Sequence, residues 1–262
     1  MEYTIDILKI GQFPETPGAE IYWMSNFGDD RWETLNIYAL LVRGGGHTLL
    51  VNSGAPLDYL EWLNKLWGAG SNYRHQLVVR EEDRIENRLE ALHVKPEEVE
   101  HVIVTPLQPY AVGGIDKFPN ATIHVNRYGW AELFAPRYKH HPHDNFYACV
   151  PKHLISYVFL EAWEKMDFMK NEENILPGID VFWTGVHHRS SVAIKIQTRA
   201  GTAIFSDCFF RYEHITEHRL LGINESMYEA LEAYARIREE ADILIPMYDP
   251  NVLVNHPDAK IG

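Results

Sequence analysis

The chain of 262 residues has little cysteine, a deficit of basic residues and no long apolar run. Two cysteines, Cys149 and Cys208, are too few for a disulfide framework or a cysteine zinc site, so we expect reduced structural thiols in a cytoplasmic protein. Asp and Glu number 37 against 24 Lys and Arg, which argues against a nucleic-acid partner. Without a membrane-spanning segment or a signal peptide at residues 1–6, we expect no membrane association.

Two common catalytic motifs are also missing. The sequence contains neither a Gly-rich phosphate loop nor a G-x-S-x-G motif, so it gives no support to a nucleotide-binding protein or a serine hydrolase. It also lacks low-complexity segments and Pro/Ser-rich linkers. With 46% hydrophobic residues, the composition favours one domain, residues 1–262, with a sizeable core.

The apolar pattern predicts strands that alternate with helices. Strands are predicted at 3–10, 35–43, 48–51, 102–104, 121–125, 181–184, 192–198, 202–206 and 243–245, and helices at 57–67, 82–92, 127–135 and 226–240. Because hairpins interrupt the alternation, we expect an α/β architecture with mixed sheets. Residues 136–178 are the least regular part and are interpreted as an insertion. The aromatic-rich segment 13–33 either packs on the domain or a second subunit, or covers an apolar ligand.

The loop from Thr105 to Gly114 is central to the functional interpretation. It follows the apolar strand at 102–104 and ends in two glycines, which predict a tight turn. A strand end that opens onto such a turn is where α/β proteins usually place their chemistry. Apart from the hydroxyl of Thr105, the polar groups of this loop are one amide, Gln108, and one phenol, Tyr110.

Six segments of the sequence, taken in order, resemble one known family. The segments are Leu50–Gly54, Lys95–Thr105, Phe118–Ala121, Thr184–His187, Gly201–Asp207 and Ile245–Pro250. They resemble the metallo-β-lactamase superfamily, and within it the N-acyl-homoserine lactonase branch. The resemblance covers most of the chain, from about residue 35 to 257. It implies an αβ/βα four-layer sandwich of two mixed sheets with outer helices, a small-molecule ligand and a homodimer.

The metal motif of that family, H-x-H-x-D-H, is not kept. The four ligand positions of this motif are occupied by Pro106, Gln108, Tyr110 and Ala111. Elsewhere in the chain, Tyr248 stands at the position of the family's last histidine, and Asn52 at that of its supporting aspartate. Of the usual ligands, only His187 and Asp207 remain. Proline and alanine offer no ligand atom, and a neutral amide or phenol is a poor zinc donor. We therefore predict no metal ligands, no cofactor and no hydrolysis by a metal-bridging hydroxide.

The remaining groups suit metal-free chemistry. By the resemblance, His187 and Asp207 lie close together, where the carboxylate would orient the imidazole. Tyr110 and Tyr248 are expected to face the same hollow, where a phenol donates a proton or holds an oxyanion. Gln108 is predicted to bind a carbonyl or carboxylate. These residues predict a metal-independent enzyme that acts by acid–base chemistry on a small acyl, lactone or carboxylate compound.

Two further substrate-binding residues and two alternative functions complete the predictions. His188 follows His187, and Tyr212 lies where lactonase-like members place a substrate-contacting tyrosine. The first alternative is a non-catalytic ligand- or partner-binding relative, in which His187 and Asp207 form a structural hydrogen-bonded pair. The second is a hydrolase with a rebuilt metal site that uses His140, His141, His143 or Asp144. Because Pro142 breaks any helix there, a solvated loop is the expected structure of that segment.

Overall fold

The structure is a computed structural model that describes residues 1–24, 30–141 and 149–262. These residues form twelve strands in two sheets. The strands are β1 (Thr4–Pro17), β2 (Trp32–Gly44), β3 (His47–Val51), β4 (His101–Ile103), β5 (Thr122–Asn126), β6 (Met166–Met169), β7 (Glu172–Leu176), β8 (Ile179–Trp183), β9 (Val192–Thr198), β10 (Gly201–Ser206), β11 (Ile243–Pro246) and β12 (Lys260–Ile261).

Both sheets are mixed, as predicted. The first has the order β12-β1-β2-β3-β4-β5-β6, in which β3 to β6 run parallel and the other pairs are antiparallel. The second has the order β11-β10-β9-β8-β7, in which only the β10–β11 pair is parallel. The α-helices of the described residues are Gly18–Ile21, Leu57–Gly68, Ile85–Ala91, Pro109–Val112, Arg127–Phe134, Lys152–Leu160, Tyr212–Thr216, Met227–Glu240 and Asn251–Asn255. This arrangement confirms the predicted sandwich.

The central strands and the long C-terminal helix follow directly from the sequence. Residues 35–42 of β2 are apolar except for Asn36 and are buried throughout, as expected for a strand covered on both faces. Helix Met227–Glu240 begins at the predicted cap, where Ser226 Oγ accepts a hydrogen bond from the Glu229 N–H at 3.3 Å. Among the described residues, no helix is long and apolar enough to cross a bilayer.

Three predicted segments differ from the structure. Strand β1 continues to Pro17 instead of ending at residue 10, because irregularities after Lys9 and Phe13 let it stay paired with β2. The helix predicted at 82–92 is divided at Arg84, which has extended backbone dihedrals. The described part of the less regular segment 136–178 contains the helix Lys152–Leu160 and the strands β6 and β7. These are partly exposed edge elements, so they lack the apolar pattern of central strands.

The loops that follow β3, β4 and β10 meet at one end of the sandwich. The Asn52 N–H donates to the Ile103 carbonyl, which joins the ends of β3 and β4 within the first sheet. The hydroxyl of Thr105, just beyond β4, lies 2.8 Å from Asp207, just beyond β10 of the second sheet. The candidate residues therefore lie where the two sheets come together.

Candidate functional site

A cavity of about 240 Å³ opens at this junction of the two sheets. Five of the seven predicted site residues line it, together with an apolar and aromatic wall. The lining residues are Phe13, Glu20, Leu35, Trp67, His75, Gln108, Tyr110, His187, His188, Phe210, Ile223 and Tyr248. A small, mostly apolar hollow with a few polar groups is the usual form of a small-molecule site.

Asp207 lies behind the cavity and is completely buried. Its Oδ1 accepts a hydrogen bond from the Thr105 hydroxyl at 2.8 Å, and its Oδ2 accepts one from the Ser191 hydroxyl at 2.5 Å. The Nδ1 atom of His187 lies 3.4 Å from the same Oδ2. His187 and Asp207 therefore lie close together, as the sequence resemblance implies. Both carboxylate oxygens are satisfied by hydroxyl groups, as a buried charge requires.

Thr105 holds this arrangement in place from three directions. Its backbone N–H donates to Asn52 Oδ1 at 2.9 Å, and its hydroxyl accepts the Val192 N–H at 3.0 Å. Asn52 has a positive φ of 64°, a conformation that asparagine tolerates better than most residues. The neutral amide of Asn52 thus positions the loop through a hydrogen bond.

The two predicted tyrosines lie side by side. The hydroxyls of Tyr110 and Tyr248 are 2.9 Å apart, and the Tyr248 ring centroid lies 6.1 Å from that of His187. Tyr110 is held by the short helix Pro109–Val112. Burial, with the neighbouring Tyr110 and Asp207, raises the pKa of Tyr248 well above its ordinary value. The phenol of Tyr248 therefore stays protonated near neutral pH, and either hydroxyl can be the donor in its hydrogen bond with Tyr110.

The last loop, which carries Tyr248, is fixed by a buried ion pair. The Nη1 atom of Arg211 donates to Asp249 Oδ1 at 3.1 Å, and its Nη2 atom donates to Glu33 at 2.7 Å. The backbone carbonyl of Tyr248 accepts the Asn36 N–H at 3.0 Å. These contacts connect the loop to β2 and so fix the position of the Tyr248 side chain in the cavity.

Gln108 and His188 line the cavity and contact each other. The Nε2 atom of Gln108 lies 3.0 Å from the Cys149 sulfur and 3.4 Å from His188 Nδ1. The backbone N–H of His188 donates to the Ser191 hydroxyl at 3.0 Å. The amide nitrogen of Gln108 therefore already has protein partners, and its binding of a substrate carbonyl stays a prediction.

Tyr212 is brought near the site but does not line the cavity. It begins the helix Tyr212–Thr216, its backbone N–H donates to Asp249 at 3.1 Å, and its partly buried ring packs against the core. Its predicted role in substrate binding thus lacks direct support from the geometry.

Of the histidines considered for a rebuilt metal site, His141 lies in another part of the structure. His141 Nε2 is 3.5 Å from Glu225 Oε1 in a separate hollow that also contains Arg189. His140 is exposed, and His143 and Asp144 lie outside the described residues. Within residues 1–24, 30–141 and 149–262, no cluster of three or more His, Cys, Asp or Glu side chains has the arrangement of a metal site.

Two cavity residues, Glu20 and His75, were missed from the sequence. His75 stacks on Phe13 with ring centroids 4.6 Å apart, and its Nε2 atom lies 3.8 Å from Glu20 Oε2. Burial raises the pKa of Glu20 to about 7 and lowers the pKa of His75. Glu20 lies in segment 13–33, suspected of covering a ligand, but no motif distinguishes it from other surface carboxylates.

Comparisons with known proteins give matches among solved structures only. No protein-family model matches the sequence, and no curated protein matches it. A quorum-quenching N-acyl homoserine lactone lactonase is 16% identical and superposes with a TM-score of 0.73, over 96% of this chain and 95% of the lactonase. An N-acyl homoserine lactone hydrolase, with a product at its catalytic metal center, is 17% identical and gives a TM-score of 0.75, over 97% of each chain.

A probable metal-dependent hydrolase from Staphylococcus aureus is 16% identical, with a TM-score of 0.73 over 95% of this chain and 90% of that protein. A hydrolase of the beta lactamase superfamily also matches, with a TM-score of 0.56. The chain has the metallo-β-lactamase fold. At such low sequence identities, the structural similarity establishes the fold of the chain. The function depends on the residues of the site.

The residues of this metallo-β-lactamase-fold protein do not fit the two-metal centre that the fold family implies. Pro106 and Ala111 offer no donor atom, and the phenol of Tyr248 is paired with Tyr110. Both oxygens of Asp207 already accept hydrogen bonds from hydroxyl groups. A catalytic zinc ion requires about three protein ligands, and this donor set does not supply them.

Proposed function

We propose that this protein is a metal-independent enzyme that acts by acid–base chemistry on a small acyl or lactone compound. The observation that carries the proposal is the buried His187–Asp207 pair at the cavity, with Nδ1 and Oδ2 3.4 Å apart. A carboxylate in this position orients an imidazole and stabilises its protonated form during proton transfer. The fold of the solved hydrolases agrees with a hydrolytic reaction.

In the proposed reaction, His187 acts as the general base. Its Nδ1 faces Asp207, and its Nε2 accepts a proton from a water molecule whose oxygen adds to the substrate carbonyl carbon. The carbon–oxygen bond to the leaving group then breaks, and the protonated His187 returns the proton to the leaving oxygen. For a lactone, this sequence opens the ring to a hydroxy acid without any other reactant.

Tyr248 and Tyr110 are proposed to stabilise the negative charge on the substrate oxygen. Tyr248 stays protonated because burial raises its pKa, so one phenol of the pair can donate toward the cavity. A hydrogen-bond donor that is fixed before the reaction lowers the barrier because no solvent has to reorganise. Gln108 and His188 are proposed to position this end of the substrate.

A second candidate function, ligand binding without turnover, is favoured by the hydrogen bonds within the site. The hydroxyls of Tyr110 and Tyr248 pair with each other, and the Gln108 amide contacts Cys149. A site whose polar groups are satisfied by one another is also compatible with a binding protein. The two functions differ only in whether a bound acyl compound is turned over.

The test of the proposal is the hydrolysis of a panel of small lactones and phenyl esters. We expect His187→Ala to lower kcat/KM by about 10²–10⁴-fold. Tyr248→Phe is expected to lower it by about 10²-fold through loss of an oxyanion donor. Matched controls are His153→Ala and Tyr228→Phe, which change exposed residues and should keep wild-type rates. Binding with no turnover by the wild type would favour the binding function.

The same preparation tests metal independence. The protein should be purified without a histidine tag and analysed for bound metal, and its activity should then be measured before and after treatment with a chelator. We expect clearly less than one metal ion per chain and an unchanged rate. One or two tightly held ions per chain, with activity lost on chelation and restored by zinc, would replace this proposal with a rebuilt metal site.

A further inference from the structure

Two groups of polar residues line the cavity and are joined by a series of aromatic contacts, so we treat them as its two ends. The first end is His187, His188 and Gln108, next to the Tyr248–Tyr110 pair. The second end is Glu20 and His75, with His75 stacked on Phe13. Between them, Phe13 contacts Tyr110 and Trp67, with ring centroids 6.4 and 5.9 Å apart. The acid–base pair of the proposed function uses only the first end, so the second end is open to another role.

The charged residues that line the cavity disfavour a ligand with a carboxylate group. Glu20 is the sole carboxylate among the described residues that line it, and none of these lining residues is Lys or Arg. The segments 25–29 and 142–148 contain neither Lys nor Arg in their sequence. A ligand with a carboxylate group would therefore lie near the carboxylate of Glu20, with no Lys or Arg in the lining to offset the repulsion. Such a contact is unfavourable in a partly buried site.

The aromatic side chains of the cavity favour a cationic ligand. The faces of Phe, Tyr and Trp rings attract cations, and ammonium groups are commonly bound among such rings beside a carboxylate. Phe13, Trp67 and Tyr110 form such a cluster within the cavity. The net charge of −13 adds a long-range attraction for cations over anions.

We propose that Glu20, backed by His75, is a specificity residue that selects substrates carrying a protonated amine. The amine lies at Glu20, the apolar part of the molecule lies against Phe13 and Trp67, and the acyl or lactone group reaches His187. This inference rests on the proposed function and narrows its substrates to amine-bearing acyl or lactone compounds. Among the ligand classes predicted from the sequence, simple carboxylates are then disfavoured.

The state of Glu20 agrees with this role. Burial raises the pKa of its carboxyl to about 7, so near neutral pH the group is poised between its neutral and ionised forms. An ammonium ion beside it favours the ionised form. His75 Nδ1 lies 3.2 Å from the Glu15 carbonyl, which fixes the ring so that Nε2 faces Glu20. The Glu15–Arg74 ion pair beyond His75 is internally neutralised.

The test is a binding comparison of three probes that share a phenyl group. Calorimetry at pH 8, above the pKa of Glu20, should be run with 2-phenylethylamine, 2-phenylethanol and phenylacetate. We expect the amine to bind at least about tenfold more tightly than either of the other two, as a charge-assisted hydrogen bond would give. Glu20→Gln should remove this preference. Glu90→Gln, which changes an exposed carboxylate outside the cavity lining, should keep it.

The outcomes separate this inference from the proposed function. Tighter binding of phenylacetate, equal binding of all three probes or no binding of the amine by the wild type would overturn the role of Glu20. The wild-type comparison needs no variant, so it stands even if Glu20→Gln does not fold. Because binding is measured without turnover, His187→Ala should keep the amine preference. Failure of catalysis would then leave the Glu20 result intact.

Discussion

At the scale of single residues, His214 shows how burial turns a titratable group into a pH-dependent source of stability. The side chain is completely buried, and its Nδ1 lies 3.0 Å from the Arg219 carbonyl. Burial lowers the pKa of His214 to about 4. Because the ordinary value for histidine is near 6.5, the unfolded chain takes up a proton at a higher pH than the folded protein.

The sign of the effect follows from this difference. As the pH falls from about 6.5 to 4, His214 should lower the free energy of unfolding, by about 3 kcal/mol in total. In His214→Asn, which keeps an N–H donor near Nδ1, the loss of stability over this range should be smaller by about that amount. Denaturant unfolding at several pH values measures it. The exposed His153→Asn is the control, and parallel curves for wild type and His214→Asn would contradict the prediction.

Single residues of the site were predictable where the sequence changes the type of chemistry. The side chains of Pro106 and Ala111 have no donor atom, so their identities alone predict that they cannot replace histidine ligands. Glu20 and His75 carry no such signal, because their altered pKa values come from burial by residues distant in sequence. The contact of Gln108 with Cys149 was likewise hidden, since it joins residues 41 positions apart.

At the scale of elements, the last loop depends on one buried ion pair. Arg211 bonds to Asp249, which is completely buried, and Asp249 also accepts the Tyr212 N–H. We expect Arg211→Met to leave this carboxylate without its cation and to lower the free energy of unfolding by about 3–5 kcal/mol. Chemical denaturation measures the change. Lys65→Met, which breaks the exposed pair with Glu61, should have little effect.

The activity of the same variant checks the link between this loop and the cavity. If Arg211 positions Tyr248, then Arg211→Met that is still folded should lose turnover of the ester panel along with stability. Unchanged stability in Arg211→Met would contradict the prediction that this ion pair stabilises the loop.

Central elements were predicted better than edge elements, for a physical reason. Strands β2, β9 and β10 lie inside their sheets, and their buried apolar runs appear directly in the sequence. Strands β6 and β7 are edges with partly exposed side chains, so their pairing is set by neighbouring strands and not by an apolar pattern.

At the scale of the whole molecule, the reactivity of the Cys208 thiol can be used to detect opening of the junction between the two sheets. It is completely buried beside Asp207, and its backbone carbonyl accepts the Tyr234 hydroxyl at 2.9 Å. Burial raises the pKa of its thiol to about 12, so the reactive thiolate is scarce in the folded protein. Reaction with a thiol reagent therefore requires this region to open.

We expect the opening free energy of Cys208 to equal the free energy of global unfolding. The measurement is the rate of thiol labelling in a Cys149→Ser variant, compared across denaturant concentrations with unfolding followed by circular dichroism. The serine keeps a hydrogen-bonding group near the Gln108 amide. Labelling through an opening of much lower free energy would show that the sheet junction separates locally while the rest of the protein stays folded.

The hydrogen bonds of Asp207 also bear on whether a metal site could be built into this fold. With His187 and Asp207, one added histidine at Pro106, Gln108 or Tyr248 would raise the number of potential ligands to three, about the number that a catalytic zinc ion requires. Both oxygens of Asp207, however, already accept hydrogen bonds from hydroxyl groups. The change at Tyr248 would also remove its hydrogen bond to Tyr110. A metal ion bound at Asp207 would therefore have to compete with the contacts that join the ends of the two sheets.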